Sequence, residues 1–298
     1  MQAAPLLDAP HVHLRPGYVS RLEGLVRRAA GRRERGDLSG RGRALGAGDE
    51  FVGHRPYRPG EDVRHLDWAL FARLERPFVR VYRREAGERW LVLLDTSGSM
   101  GLGAPGKLQL GGEVALGLAA LGQRFGAASE LLALRATDGA AVRRSFSRRE
   151  DLPAWIAALQ SLEAPADGAR GLGELLPLAA SGRRRAARVF VLGDLWDVDP
   201  AELLALQRPG RRVELVQILA PHELAPAALE REAVRWADRE HQLRLEVRLE
   251  GETLARYGAA LERREEAWRR ACARHGLGWS AWSSATPFED VVAALLGA

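Results

Sequence analysis

Short apolar runs alternate with amphipathic stretches along most of this chain, and the spacing within each assigns an element. Residues 20–30 carry Leu22, Leu25, Val26 and Ala29 on one helical face, with Ser20 and Glu23 spaced as a capping box. The run Phe78-Val79-Arg80-Val81-Tyr82 alternates as a half-buried strand does. From Arg89 onward the pattern predicts a strand over 90–94 and a helix over 107–125, in which Val114, Leu118 and Leu121 are spaced for burial. A hairpin follows, its strands 131–135 and 142–146 joined at Asp138-Gly139. Helices are expected over 152–162 and 172–180, after Asp199-Pro200, in a long charged segment near the C-terminal end and after Pro287. Further strands are expected over 189–192, 213–219 and 243–249. Strands separated by helices of this length predict an α/β fold, a doubly wound and mostly parallel sheet with helices on both faces.

Composition narrows the class. With 298 residues, 46% hydrophobic and 28% charged, the chain is neither disordered nor fibrous. No apolar run reaches the roughly 18 residues of a membrane span, and the N-terminus lacks the pattern of a secretory signal, so a soluble, cytoplasmic protein without membrane insertion is expected. The net charge is +5, yet Lys107 is the only lysine, and basic and acidic residues alternate as solvated ion pairs (Arg83, Arg84, Glu85; Arg263, Arg264, Glu265, Glu266). Nucleic acid is therefore not the expected partner. Cys272, the single cysteine, can form neither an internal disulfide nor a cysteine-based zinc site. Site chemistry falls to oxygen and nitrogen.

Ligands of such a sheet bind outside the carboxyl ends of the strands. Two polar clusters end buried strands there: Asp95-Thr96-Ser97-Gly98-Ser99, and Asp194. Alternate residues of an extended loop point the same way, so Asp95, Ser97 and Ser99 offer one carboxylate and two hydroxyls to a common point. Those are hard ligands for a magnesium-sized cation that keeps several waters. The alternative is that the aspartates cap following helices and the serines satisfy a turn. Enzyme readings fit less well. The stretch 101–107 matches a phosphate-loop spacing but has Leu108 where Ser or Thr is needed. An aspartyl-phosphatase start would need a second Asp where Ser97 stands. Ser99, Asp194 and His222 follow the order of a hydrolase triad, but Gly101, Gly103, Pro105 and Gly106 delay the helix that a nucleophile elbow requires.

A more specific pattern precedes the sheet. Phe51, Gly53, Arg55, Tyr57, Pro59, Gly60, Asp62, Arg64, Asp67, Trp68, Ala72 and Arg73 stand at fixed spacings ahead of the strand that ends in Asp-Thr-Ser-Gly-Ser-Met. Pro59-Gly60 reads as a tight turn, and Glu61, Asp62, Arg64 and Asp67 as a charge network. The set closely resembles the bacterial domain-of-unknown-function family fifty-eight, whose members are von Willebrand factor A-like. The segment reads as a structural clamp or a docking surface, with Arg55 and Arg73 available to a partner's carboxylates. The expected organisation is an N-terminal helical and Gly/Arg-rich extension (residues 1–50), the signature segment (51–87) and a von Willebrand factor A-like domain (88–298).

The resemblance implies a metal-ion-dependent adhesion site with Asp95, Ser97, Ser99 and Asp194 in four of its places, magnesium as the ion with manganese or calcium as alternatives, and a partner's carboxylate completing the octahedron. The threonine that the family carries in the loop 167–171 is missing: the text reads Gly168-Ala169-Arg170-Gly171, which weakens or empties the site. The resemblance further implies a partner, a MoxR-type AAA+ ATPase, and a role as an adaptor between it and an unidentified client in maturation or assembly. The expected protein is a non-enzymatic, magnesium-dependent interaction module. The alternatives are a metal-assisted hydrolase or phosphatase on the same cluster, with His222 or Glu223 as base, and a metal-free scaffold.

Overall fold

The computed structural model describes residues 11–34, 49–57, 67–84, 88–136, 138–165, 171–181, 186–225, 233–237, 244–248 and 251–297. In chain order the elements are α1 (Tyr18–Glu34), β1 (Asp49–Pro56), α2 (Trp68–Leu74), β2 (Phe78–Arg84), β3 (Arg89–Leu94), α3 (Lys107–Arg124), β4 (Ala128–Leu134) and β5 (Ala141–Phe146). They continue with α4 (Leu152–Gln160), α5 (Leu172–Ala180), β6 (Arg188–Gly193), β7 (Arg212–Leu219), α6 (Pro221–Leu224), β8 (Ala233–Ala237), β9 (Arg244–Arg248), α7 (Gly251–His275), β10 (Gly278–Ser283) and α8 (Phe288–Leu296). Two compact units result, Met1–Gly40 with Glu88–Ala298, and Arg41–Gly87.

The larger unit is built on a six-stranded sheet in the order β10-β7-β6-β3-β4-β5. Every neighbouring pair is parallel except β4 with β5, the hairpin at Asp138-Gly139, where Gly139 takes φ +67°. Counting only the strands of this sheet, the order is 3-2-1-4-5-6, the doubly wound arrangement whose direction reverses between β3 and β6. Both faces are covered, as side-chain alternation along the strands requires. Trp90, Val92 and Leu94 of β3, Phe190 and Leu192 of β6 and Val216 and Ile218 of β7 join α1, α3, α4 and α8 on one face. Leu91 and Leu93, Val189 and Val191, and Val213 and Leu215 join α5 and α7 on the other. This is the expected α/β architecture.

The helix expected within residues 1–50 is an integral layer of this unit. Tyr18, Leu22, Leu25 and Ala29 are buried, and the Tyr18 hydroxyl donates to the carbonyl of Glu113 in α3 at 2.7 Å. Helix α1 begins two residues before Ser20, so that serine lies in the first turn and does not cap it. After Asp199-Pro200 the chain forms a short 3-10 turn, Glu202–Leu206, where a full helix was expected. The strand expected over 243–249 is β9, paired with β8 in a separate two-stranded ribbon. Strand β10 had no counterpart in the sequence reading.

In the smaller unit, β1 and β2 pair antiparallel from Asp49 with Arg84 to Pro56 with Phe78. Asp67 caps α2, its carboxylate accepting from the amides of Ala69 and Leu70 at 3.1 and 3.0 Å. No helix among the described residues is long and apolar enough to cross a membrane.

Candidate functional site

The site sits where the sheet changes direction, at the carboxyl ends of β3 and β6. Both strands are buried apolar runs, and each ends in an aspartate: Asp95 and Asp194, 3% and 2% exposed. The Asp95 amide donates to the Leu192 carbonyl at 2.8 Å, continuing the β3–β6 ladder by one bond and fixing the first aspartate against the second strand. Asp95 then turns the chain: its Oδ1 accepts from the Ser97 amide at 2.9 Å. Thr96 points the other way and donates to the Leu134 carbonyl at 2.9 Å, tying the loop to β4. Ser97 and Ser99 therefore share a side, with their hydroxyl oxygens 3.0 Å apart.

The second aspartate is set by an uncommon backbone. Leu195, immediately after it, is buried in the left-handed region at φ 59°, a conformation that a branched side chain adopts only where its surroundings impose it. The Trp196 amide consequently donates to Asp194 Oδ1 at 3.2 Å, and the Asp194 carbonyl accepts from Gln217 Nε2 at 2.9 Å. Arg264 of α7 lies 4.7 Å over the Trp196 ring and donates to the carbonyls of Leu195 and Trp196. Asp95, Ser97, Glu174, Asp194, Trp196 and Asp197 line one cleft of about 420 Å³ with Gly171, Leu172, Gly173, Leu195 and Val198. All but one of the four residues predicted for a metal site thus line this cleft, and the fourth, Ser99, touches Ser97.

The spacing of the two serine hydroxyls is what a magnesium-sized ion would require of a pair of its ligands. Adjacent ligands of an octahedron with bonds of about 2.05 Å lie about 2.9 Å apart, and the two hydroxyls are spaced close to that edge. Asp95 Oδ1 accepts the loop amide of Ser97. Residue 171 borders the cluster: a Cβ there would lie 3.6 Å from Ser97 Cβ and 3.9 Å from Asp95 Oδ1. Glycine supplies no ligand from that side. Ala169 and Arg170 lie outside the described residues, as do Pro59, Gly60, Asp62 and Arg64 of the signature. Arg73 is exposed in the last turn of α2 and Trp68 is 62% exposed.

A buried cation stands behind the second aspartate. Lys107, the first residue of α3, is fully buried and donates from Nζ to Asp194 Oδ2 at 2.8 Å and to Glu223 Oε1 at 2.9 Å. Burial alone would push its pKa down; the two carboxylates outweigh that and hold it above the ordinary lysine value. The other Glu223 oxygen accepts from the Ala220 amide at 2.6 Å, and Tyr257 donates to the Glu223 carbonyl at 2.7 Å. Lys107 is turned away from any phosphate-loop role. Glu223, bonded at both oxygens, is a poor general base, and Asp194 is bonded to Lys107 and Trp196, not oriented toward a histidine. The sequence reading missed this lysine. Its one signal was its solitude among arginines at the start of the helix that follows the Asp95 loop.

Comparison with known proteins places the chain. The profile described as "Protein of unknown function DUF58" matches residues 53–267. "Uncharacterized protein Rv1480" of Mycobacterium tuberculosis is 30% identical over 185 residues, 60% of this chain and 57% of that protein, so the match spans little more than half of the relative. Among solved structures, the conserved hypothetical protein BatB from Bacteroides thetaiotaomicron is similar with a TM-score of 0.46 and 16% identity, covering 71% of this chain and 98% of that one. The SpRpn10 VWA domain is similar with a TM-score of 0.36 and 12% identity, covering 70% and 94%. The strand order carries the fold assignment, a doubly wound α/β sheet, independently of these likenesses, and the profile match settles the family: the chain belongs to DUF58, a family of proteins of unknown function.

Proposed function

We propose that this protein is a non-enzymatic interaction module that receives a partner's carboxylate through a magnesium ion held by Asp95, Ser97, Ser99 and Asp194. The observation that carries the reading is the hydroxyl pair of Ser97 and Ser99, 3.0 Å apart beside the nearly buried Asp95 at the sheet's switch point. When bound, the ion would supply a Lewis-acidic position open to an acidic side chain. The chain's own residues do the positioning: Asp95 and the serines present oxygens directly, and Asp194 acts from the facing strand end, where water can bridge. A nucleophile paired with a poised base is what turnover would need, and Glu223, the best-placed candidate base, is fully bonded.

The partner we propose is a MoxR-type AAA+ ATPase, with the protein acting as its adaptor toward a client in maturation or assembly in the cytoplasm. The test is capture of such an ATPase by the full chain with magnesium and with chelator, in wild type and Asp95→Ala. Magnesium-dependent capture lost in the variant is expected. Equal capture by the Asp95→Ala protein in excess magnesium overturns the reading, and phosphate or ester turnover abolished by Ser99→Ala would replace it with a hydrolase.

A further inference from the structure

We propose that Lys107 is the resident counter-cation of this site and limits divalent-cation binding to it. The inference rests on Asp95, Ser97, Ser99 and Asp194 being a cation site. Lys107 Nζ lies 2.8 Å from Asp194 Oδ2, so one of the site's two carboxylates already has a permanent positive partner on its outer side. That partner is fully buried and is itself held 2.9 Å from Glu223. Nothing about it is adjustable: α3 begins at Lys107, whose amide donates to the Leu102 carbonyl at 3.2 Å, and Glu223 is fixed by the Ala220 amide.

Two consequences follow from Coulomb's law in a poorly solvated setting. The ammonium draws charge from Asp194 away from the cleft, and it repels a doubly charged ion one carboxylate away. Both lower the affinity for a free ion while leaving Asp194 pinned in place. A site weakened in this way retains its ion only when a partner adds a further negative ligand, so Lys107 makes occupancy depend on the partner.

The experiment compares magnesium titrations by calorimetry and by thermal melting, at constant ionic strength, for wild type, Lys107→Met, Glu223→Gln and Lys107→Met/Asp95→Ala. Lys107→Met is expected to respond at a magnesium concentration roughly tenfold or more below that of wild type. Glu223→Gln, which leaves the ammonium to Asp194 alone, is expected to respond more weakly than wild type. The double variant is expected to lose the response. If Lys107→Met is unfolded without metal, recovery of its circular dichroism on adding magnesium is the equivalent readout.

A response of Lys107→Met equal to or weaker than that of wild type overturns the inference, as does no response in either. A response that survives Asp95→Ala also overturns it, since the ion would then occupy the ammonium's place between Asp194 and Glu223. The underlying reading fails separately. Wild type silent and Lys107→Met responsive upholds the limiting role of Lys107 and removes magnesium from the wild-type function, whereas wild type responsive and Lys107→Met unchanged does the reverse.

Discussion

Gly193 faces Asp95 so closely that a Cβ on the glycine would lie 2.8 Å from Asp95 Cβ and 2.9 Å from its Oδ2. The two residues end neighbouring strands, and the missing side chain is what allows a carboxylate to stand between them. Gly193→Ala is therefore expected to displace Asp95 and to destabilise the fold by about 1–3 kcal/mol in urea unfolding. Any magnesium response should fall with it. Gly173 is the control, because no atom lies within 4 Å of its added Cβ and it is an exposed position in α5. Gly173→Ala should be neutral or stabilising by up to about 1 kcal/mol.

Glu113 is completely buried within α3 and receives Arg15 through Nε at 2.8 and 3.0 Å, a further contact from Arg15 Nη2, and Gln109 Nε2 at 2.8 Å. Removing the carboxylate leaves an arginine and an amide without their acceptor. Arg15 is 31% exposed and recovers part of its solvation, so Glu113→Ala should cost about 1–3 kcal/mol rather than the full penalty of an orphaned charge. Chemical denaturation measures this. An unchanged midpoint would mean that the N-terminal segment is held by Val12 and the apolar face of α1 alone.

Glu214 supplies the pH dependence. Burial raises its pKa above the usual carboxylate value, and Arg188 and Arg212 only partly reverse that. A carboxyl whose folded pKa is raised binds its proton more tightly when folded, so its contribution is favourable in acid and is lost as pH rises through the folded value. Glu214→Gln removes that loss. Its melting temperature relative to wild type should be higher at about pH 7 than at about pH 4, the two curves converging in acid. The side chain also fills the space above Gly278 on the neighbouring strand β10, where a Cβ would collide with the carboxylate, so the cost of Gly278→Ala should be relieved by Glu214→Ala and not by the isosteric Glu214→Gln.

Cys272 is buried in α7, and burial pushes its thiol up to about 11. At neutral pH almost none is thiolate, and access is closed as well. An aromatic disulfide reagent should therefore label the native protein slowly and the denatured protein at once. Rapid labelling without denaturant would show that α7 opens readily.

The sheet was legible because β3 and β6 are buried on both faces and read as continuous apolar runs, and β7 reads as one broken only by Glu214 and Gln217. Helix α3 was legible because Val114, Leu118 and Leu121 recur at helical spacing. Strand β10 was not: Gly-Trp-Ser-Ala-Trp-Ser is half-buried along its whole length at the sheet edge and shows neither a run nor a clear alternation. The segment after Pro200 carries apolar residues at helical spacing but closes as a 3-10 turn. At the site, Asp95, Ser97 and Ser99 announce themselves locally, and Asp194 by its place at a strand end. Lys107 meets Asp194 across 87 positions of sequence and Glu223 across 116, and no local pattern encodes such a meeting. Charge composition pointed outward to solvated ion pairs, whereas the one lysine is turned inward.

Helix α1 packs against α3 together with α8, and Arg21 reaches Glu289 with both guanidinium contacts at 2.5 Å, across 268 residues. On a ribosome, α1 leaves the exit tunnel long before α8 is made, and until then its apolar face has only part of its seat. Helix α3 can cover part of that face early, and the rest stays uncovered until α8 is made. Completion of this domain therefore waits for α8.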